Sequence, residues 1–188
     1  MALQSDDAKP NTADLILDAA ERVVAREGAR RLTIDAVVKE SGFSKGGVLY
    51  NFPSKLDLIK GMVARMVASF TVRHEAAMRE GEAEGTGPLK AMVNALVCKD
   101  EAMDRQVSMG LLAAIAENPE LIDPIRDAIA AMRADILAHA PDPELANIVL
   151  LAADGLHFSD ILGLDILSET ERAAVEARLL ALVTEPRS

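Results

Sequence analysis

The spacing of apolar residues along the chain predicts helices almost throughout. Near the start, Ile16 and Ala20 are four residues apart, which places them on one face of a helix. Asn11 or Thr12 can cap the start of this helix, and Gly28 predicts a left-handed residue at its end. No stretch alternates apolar and polar residues in the way that a strand does, so we predict an all-α fold.

Three further helices are predicted before residue 81. Thr33 precedes a short amphipathic helix, Ser44 caps a shorter one, and Ser54 begins a long one that runs to about Glu80. Residues 81–88 contain three glycines and predict a linker. Proline and glycine positions then divide the remainder into five more helices, for about nine in all, at residues 88–100, 103–117, 124–140, 144–163 and 169–184.

Residues 33–55 have the spacing of a helix-turn-helix, with a tight turn at Gly42 between the two short helices. Gly46 and Gly47 cost roughly 1 kcal/mol each in a helix relative to Ala, and close approach to DNA would explain them. Lysine, threonine and tyrosine can bind phosphates, and Asn51 can read a base edge. An ordinary pair of bundle helices is the alternative. The predicted DNA-binding residues are Thr33, Ser44, Lys45, Gly46, Gly47, Tyr50, Asn51 and Lys55.

The net charge of −10 argues against DNA binding until its distribution is considered. Residues 1–60 carry nine Lys/Arg and nine Asp/Glu, so the whole negative excess lies in residues 61–188. The single Cys98 excludes an internal disulfide, and no uncharged apolar run is long enough to cross a bilayer. We expect a cytoplasmic protein with no membrane partner.

The run from Leu15 to Leu58, which includes LTIDAVVKESGFSKGGVLYNFPSKLDLI, resembles the DNA-binding head of the TetR/AcrR family of bacterial regulators. The resemblance implies a homodimer with a three-helix DNA-binding domain at residues 1–53 and a helical ligand-binding and dimerisation domain at residues 54–188. Many members have Tyr where this chain has Leu49, and here the aromatic is Tyr50. The sequence leaves open which of the two side chains faces phosphate.

An acid and an imidazole fall on one side of the penultimate predicted helix, where Asp154 and His157 lie among apolar residues. A buried carboxylate needs a partner, so either His157 or an arginine satisfies Asp154, or a bound ligand does. The stretch LLAADGL resembles a multidrug-binding branch of the family, which implies a lipophilic effector. The predicted pocket residues are Met66, Phe70, Met92, Met109, Asp154, His157 and Phe158.

Small residues on another face of the same helix would let a second subunit approach closely, together with apolar residues of the last helix. The predicted dimer interface comprises Ala152, Gly155, Ser159, Gly163, Val175, Leu179 and Leu182. A two-fold dimer of such heads should read an inverted-repeat operator. The family default implies a repressor that an effector releases from DNA.

Two other classes of protein remain as alternatives. A helical bundle with a metal site needs Glu-x-x-His motifs, and Asp154-x-x-His157 is only a partial analogue. A helical interaction adaptor would keep the fold without binding DNA. No nucleophile motif or phosphate-binding loop occurs, so we predict neither an enzyme nor a cofactor.

Overall fold

The computed structural model describes residues 11–85, 88–97 and 105–184, and these ranges contain nine α-helices and no strand. The prediction of an all-α fold is confirmed. Two short 3-10 turns, Ala29–Arg31 and Pro119–Ile122, precede α2 and α7. In chain order the helices are α1 Thr12–Glu27, α2 Ile34–Ser41, α3 Lys45–Asn51, α4 Lys55–Glu84, α5 Pro88–Val97, α6 Arg105–Glu117, α7 Asp123–His139, α8 Pro143–Leu162 and α9 Glu169–Thr184.

Side-chain caps fix the starts of the early helices. The Asn11 side chain accepts a hydrogen bond from the Asp14 N–H at 2.8 Å, and Ser54 Oγ accepts one from the Asp57 N–H at 3.2 Å. Gly28 ends α1 at φ 81 and ψ 159, so its φ is positive but its backbone is not the predicted left-handed helical one. These caps satisfy amide groups that have no partner inside the helix.

The predicted linker at residues 81–88 is partly helical. Helix α4 continues to Glu84, and Gly85 ends it in the left-handed region at φ 65 and ψ 21. The helix persists because Gly81 is buried, and packing outweighs the low helix propensity of glycine there. Cys98 and the predicted helix boundaries at residues 100 and 103 lie outside the described residues.

Two buried clusters form the core. The first joins α1, α2, α3 and the first half of α4 to α6, and its members include Val48, Met62 and Leu111. The second joins α5, α7, α8 and α9 around residues such as Ile136 and Val149. The proposed boundary at residue 53 therefore marks the start of α4, while the core around the first three helices continues through α4 and α6.

Helix α6 approaches the first three helices closely at Gly110. A Cβ at this position would overlap Val24 Cγ1 and lie 3.5 Å from Ala29 Cβ. Only glycine leaves room for this approach, so α6 contacts both α1 and the turn that follows it.

Helix α8 is long and apolar enough to cross a membrane by length and composition alone. It packs against α5, α6 and α9, and a third of its most apolar stretch is buried inside the fold. An internal helix of a helical bundle has the same composition, so this feature is weak evidence for a membrane.

Candidate functional site: an exposed short helix and a polar pair on α8

Helix α3 is a short rod that is held from one side only. Ser44 Oγ accepts a hydrogen bond from the Gly47 N–H at 3.1 Å, which fixes its start. Val48 is fully buried and anchors its inner face, and Phe52 follows its end as another buried residue. Its outer face is open, because Lys45 and Gly46 are exposed. The helix is thus positioned by the fold and free to contact another molecule.

The aromatic side chain of α3 points outward. Tyr50 is 89% exposed, whereas the neighbouring Leu49 is half-buried. A large aromatic ring with so little contact inside its own chain is unusual in a folded protein. Of the two side chains that the sequence left open, Tyr50 is the one available to a phosphate group.

The two glycines of α3 differ in their surroundings. A Cβ at Gly46 would meet no atom within 4 Å, and a Cβ at Gly47 would lie 3.3 Å from Ser44 Oγ. Both have negative φ angles. Nothing inside the described part of the chain therefore requires glycine at position 46.

Several predicted DNA-binding side chains already have partners within the chain. The Asn51 amide donates to the Gly47 carbonyl at 2.9 Å, and Lys45 Nζ lies 2.8 Å from Asp35 Oδ1. Lys55 Nζ donates to a carbonyl in the turn before α2 at 3.4 Å. Thr33 caps α2 by accepting from a backbone N–H at 3.1 Å. The Lys45 pair is exposed on both sides, so it is weak in water and phosphate can replace it.

Several carboxylates in the first sixty residues form ion pairs in which one partner lies on α1. Arg22 and Arg26 both contact Glu40 at 2.9 Å. The hydrogen bond from Arg22, and after it that from Arg26, holds the pKa of Glu40 below its usual range. Arg65 on α4 lies 2.5 Å from Asp18 and 2.6 Å from a second carboxylate of α1. Among the described residues, the equal counts of acids and bases in this segment therefore hide cations that have no acidic partner.

Asp154 and His157 lie half-buried on α8, in the part of the chain after residue 53, which we call the body. Desolvation raises the pKa of Asp154, and the charges of His157 and then Arg133 oppose the shift. Desolvation also lowers the pKa of His157, against the attraction of Asp154. Arg73 on α4 adds a smaller lowering of the His157 pKa. Burial therefore disfavours the charged form of each group, and the attraction between the two groups partly offsets this effect.

The other predicted pocket residues do not form one cluster. Met66 packs against the first core cluster and Met92 belongs to the second. Met109 and Phe158 are exposed, although the Phe158 ring meets the His157 ring edge-on with centroids 6.2 Å apart. Phe70 is half-buried, and the Arg73 guanidinium lies 4.9 Å from its ring centroid.

A buried histidine on α4 was not singled out from the sequence. His74 Nε2 lies 3.2 Å from Asp135 Oδ2 on α7, and its Nδ1 has no hydrogen-bond partner among the described residues. The two residues are 61 positions apart, so no local spacing could have paired them. Across the described ranges, no group of three or more His, Cys, Asp or Glu side chains is placed to hold a metal ion.

The outward face of α8 carries an apolar stripe. Ile148 and Leu151 are 62% and 64% exposed, and Phe158 and Leu162 continue the stripe. Gly155 lies between them with open space beside its Cα. We refer to these five residues as the α8 stripe, and they follow one another at spacings of three and four residues.

Only some of the residues predicted for the dimer interface lie on the outward face of α8. Ser159 is buried and donates to the Gly155 carbonyl at 2.7 Å, and Leu179 is buried in the second core cluster. Gly163 ends α8 against the Arg105 guanidinium, which would overlap a Cβ. Of the predicted set, Gly155 is exposed and four residues are half-buried, namely Ala152, Gly163, Val175 and Leu182.

Comparison with known protein families matches most of the chain, in two segments separated by residues 63–85. Residues 16–62 match the family described as bacterial regulatory proteins, tetR family, and residues 86–184 match the tetracyclin repressor-like C-terminal domain. This chain belongs to the TetR family of transcriptional regulators. The first match covers the helix-turn-helix, and the second covers α5 to α9, so both halves of the fold have counterparts within the TetR family.

Individual TetR-family proteins are similar over most of the chain. The HTH-type transcriptional repressor BepR of Brucella suis is 27% identical over 131 residues, which are 68% of this chain and 61% of BepR. The chain thus spans about three fifths of that relative. The multidrug binding protein EbrR, solved with malachite green, is 24% identical with a TM-score of 0.67 and covers 92% of this chain and 98% of its own.

A regulator from Saccharomonospora viridis, solved with choline, has a TM-score of 0.67 at 22% identity, over 91% of this chain and 94% of its own. At these identities the solved structures show a shared fold only. The TetR family is a family of bacterial regulatory proteins.

Proposed function

We propose that this regulator is a homodimeric repressor that binds an inverted-repeat operator and leaves it when a small lipophilic molecule binds the body. The observation that carries the proposal is the exposed rod of α3, with Tyr50 pointing outward and Gly46 leaving its surface flat. In this proposal residues 1–53 are the DNA-binding domain and residues 54–188 bind the ligand and the second subunit.

Helix α3 has the properties of a reading helix. Its exposed residues are short or polar, so it can enter a major groove about 12 Å wide. Tyr50 and the lysines near the helix ends would bind phosphates and set the register of the head on DNA. Asn51 has a second amide hydrogen and its carbonyl oxygen left for a base edge, beyond the bond to Gly47.

The α8 stripe supports dimerisation. Alternating spacings of three and four residues are those of two helices packed along a common seam, and Gly155 at its centre allows close approach. Exposed apolar side chains in such a row are costly in water, so a second copy of α8 is the partner we propose. Half-buried residues of α9, Val175 and Leu182, would complete a four-helix interface.

The proposed effector contacts are Asp154 and His157. A half-buried carboxylate with a raised pKa is stabilised by a bound cationic or hydrogen-bonding group. The apolar residues around it favour a ligand that is otherwise lipophilic. The similar fold of EbrR, which was solved with malachite green, supports a ligand of this kind. To release the operator, the effector must bind the DNA-free form more tightly than the DNA-bound form.

The test of DNA binding is a mobility-shift assay with the duplex upstream of the gene that encodes this chain, run across a salt series. We expect a specific complex whose log affinity falls linearly with log salt, with a slope of about −0.9 per phosphate neutralised. Tyr50→Ala should weaken it at least about tenfold with unchanged circular dichroism. An unshifted duplex at low salt, or a Tyr50→Ala complex of full affinity, contradicts the proposal.

Dimerisation is tested separately by light scattering after size-exclusion chromatography. Leu151→Glu places a charge in the middle of the proposed seam and should yield monomers. Val72→Glu is the matched control, because Val72 is also an exposed apolar residue but lies on α4. If both variants remain dimeric, the α8 stripe is not the interface.

A further inference from the structure

The 3-10 turn Ala29–Arg31 between α1 and α2 presents two consecutive arginines to solvent. We call it the basic turn. Its backbone is fixed at both ends, because Leu32 is buried and the Leu32 N–H donates to the Ala29 carbonyl at 3.2 Å. The side chains of Arg30 and Arg31 are thus carried on a rigid base, which lowers the entropy lost when they bind.

The basic turn lies between two elements that face the proposed DNA surface. Thr33, the cap of α2, follows it by two residues, and Lys55 at the start of α4 donates to the Arg30 carbonyl at 3.4 Å. The N-termini of α2 and α4 therefore flank the turn, and helix N-termini are favourable for phosphate groups. The basic turn is thus close in the chain to the start of α2 and in contact with the first residue of α4.

Neither arginine has an acidic partner among the residues that the structure describes. The carboxylates of α1 and α2 nearest in sequence are held elsewhere: Glu27 by Arg26 at 2.9 Å, and Asp35 by Lys45 at 2.8 Å. Two exposed, unpaired guanidinium groups next to each other create a local positive potential. Such a patch attracts an anion, and guanidinium groups bind phosphate oxygens in a bidentate manner.

We propose that Arg30 and Arg31 bind phosphates of the duplex backbone beside the half-site that α3 reads. This inference rests on the proposed DNA binding, and it adds two phosphate-binding side chains that the helix-turn-helix pattern does not include. The partner is the phosphodiester backbone, so the arginines position the head and supply affinity without reading sequence.

The experiment compares Arg30→Gln/Arg31→Gln with the parent protein on the upstream duplex, from 50 to 200 mM salt. For each phosphate that loses its guanidinium partner, the slope of log affinity against log salt should become shallower by about 0.9. Between 50 and 200 mM salt, the affinity of the variant should then fall by a factor about three times smaller than that of the parent protein. In a two-fold dimer the substitutions act on both heads. The control is Arg79→Gln/Arg126→Gln, which removes the same charge from exposed positions on α4 and α7 and should leave the slope unchanged.

A duplex of scrambled sequence separates phosphate binding from base reading. The double variant should lose affinity for both duplexes by a similar factor, with circular dichroism unchanged. If affinity and slope match those of the control variant, or if only the specific duplex is affected, the assignment is overturned. If the parent protein itself shows no salt-dependent complex, the proposed function fails instead.

Discussion

Gly46→Ala separates the stability of the head from its DNA affinity. Gly46 is the second residue of α3, and a Cβ there meets no atom within 4 Å. Alanine is favoured over glycine in a helix by up to about 1 kcal/mol, and less near a helix end. With no steric cost to oppose this gain, the variant should unfold at higher denaturant, by up to about 0.5 M urea if the denaturant slope is about 2 kcal/mol/M.

The same methyl group should weaken DNA binding, since it stands on the surface that we assign to the major groove. We expect a loss of about tenfold or more, equivalent to about 1.4 kcal/mol. Urea unfolding followed by circular dichroism at a fixed chain concentration measures the first effect, and fluorescence anisotropy with the upstream duplex measures the second.

Two comparisons make this result decisive. At Gly47 a Cβ would lie 3.3 Å from the capping Ser44 oxygen, so Gly47→Ala should gain less stability than Gly46→Ala. Ala68→Gly, in the exposed part of α4, changes helix propensity without touching the head and should leave DNA affinity unchanged. A Gly46→Ala protein that is both more stable and fully active in DNA binding would refute the assignment of this face.

Three other substitutions test the packing and the polar centre. Gly110→Ala should destabilise the fold by about 1–2 kcal/mol, because overlap with the buried Val24 outweighs the helix propensity gained. Arg172→Gln should cost about 1–2 kcal/mol in urea unfolding, since it leaves two carboxylates, 2.7 and 2.6 Å from the guanidinium, without their partner. Burial lowers the pKa of His157 in the folded protein, so on acidification the unfolded chain binds a proton at a higher pH than the folded protein does. The free energy of unfolding should therefore decrease as the pH falls below about 6.5. His157→Gln should therefore lose less stability than the parent protein between pH 7.5 and 5.5.

Each of these has a matched comparison. Gly46→Ala is the same change in open space, so equal stability effects at positions 46 and 110 would contradict the overlap argument. Arg126→Gln removes an exposed ion pair and should cost less than about 0.5 kcal/mol, and an equal loss for Arg172→Gln would mean that its pairs are no stronger. Parallel pH profiles for the parent protein and His157→Gln would show that this imidazole does not titrate differently on unfolding.

Local signals in the sequence predicted the helices and their caps well. Ser44 and Ser54 are both helix caps in the structure, and the last predicted helix coincides with α9 at residues 169–184. These features depend on side chains within three or four residues of each other, which a sequence displays directly. The ends of α1 and α4 were the exceptions: Gly28 does not have the predicted left-handed helical backbone, and tertiary packing extends α4 through Gly81.

Which face of α8 is buried and which is exposed to solvent could not be predicted in the same way. This helix is apolar on nearly all sides, so its periodicity does not distinguish the face toward the core from the face toward solvent. Ser159, assigned to the interface for its small size, is buried, while Phe158, assigned to the pocket, is exposed on the α8 stripe. Contacts over long sequence separations, such as His74 with Asp135, leave no local trace at all.

In the proposed regulation, the effect of the ligand would reach the first three helices through α4 and α6, which contact both α1 and helices of the second core cluster. Helix α4 starts beside the basic turn and, at 30 residues, extends about 45 Å to the level of His74 and beyond. Helix α6 binds the end of α8, where Arg105 Nε donates to the Ile161 carbonyl at 3.2 Å, and it touches the head at Gly110. Because Gly110 packs against Val24 and Ala29 without free space, we expect a ligand that displaces α8 to move α6 and the basic turn as well. In the proposed release of DNA, α6 is therefore the physical link between α8 and the turn that we propose to bind phosphate.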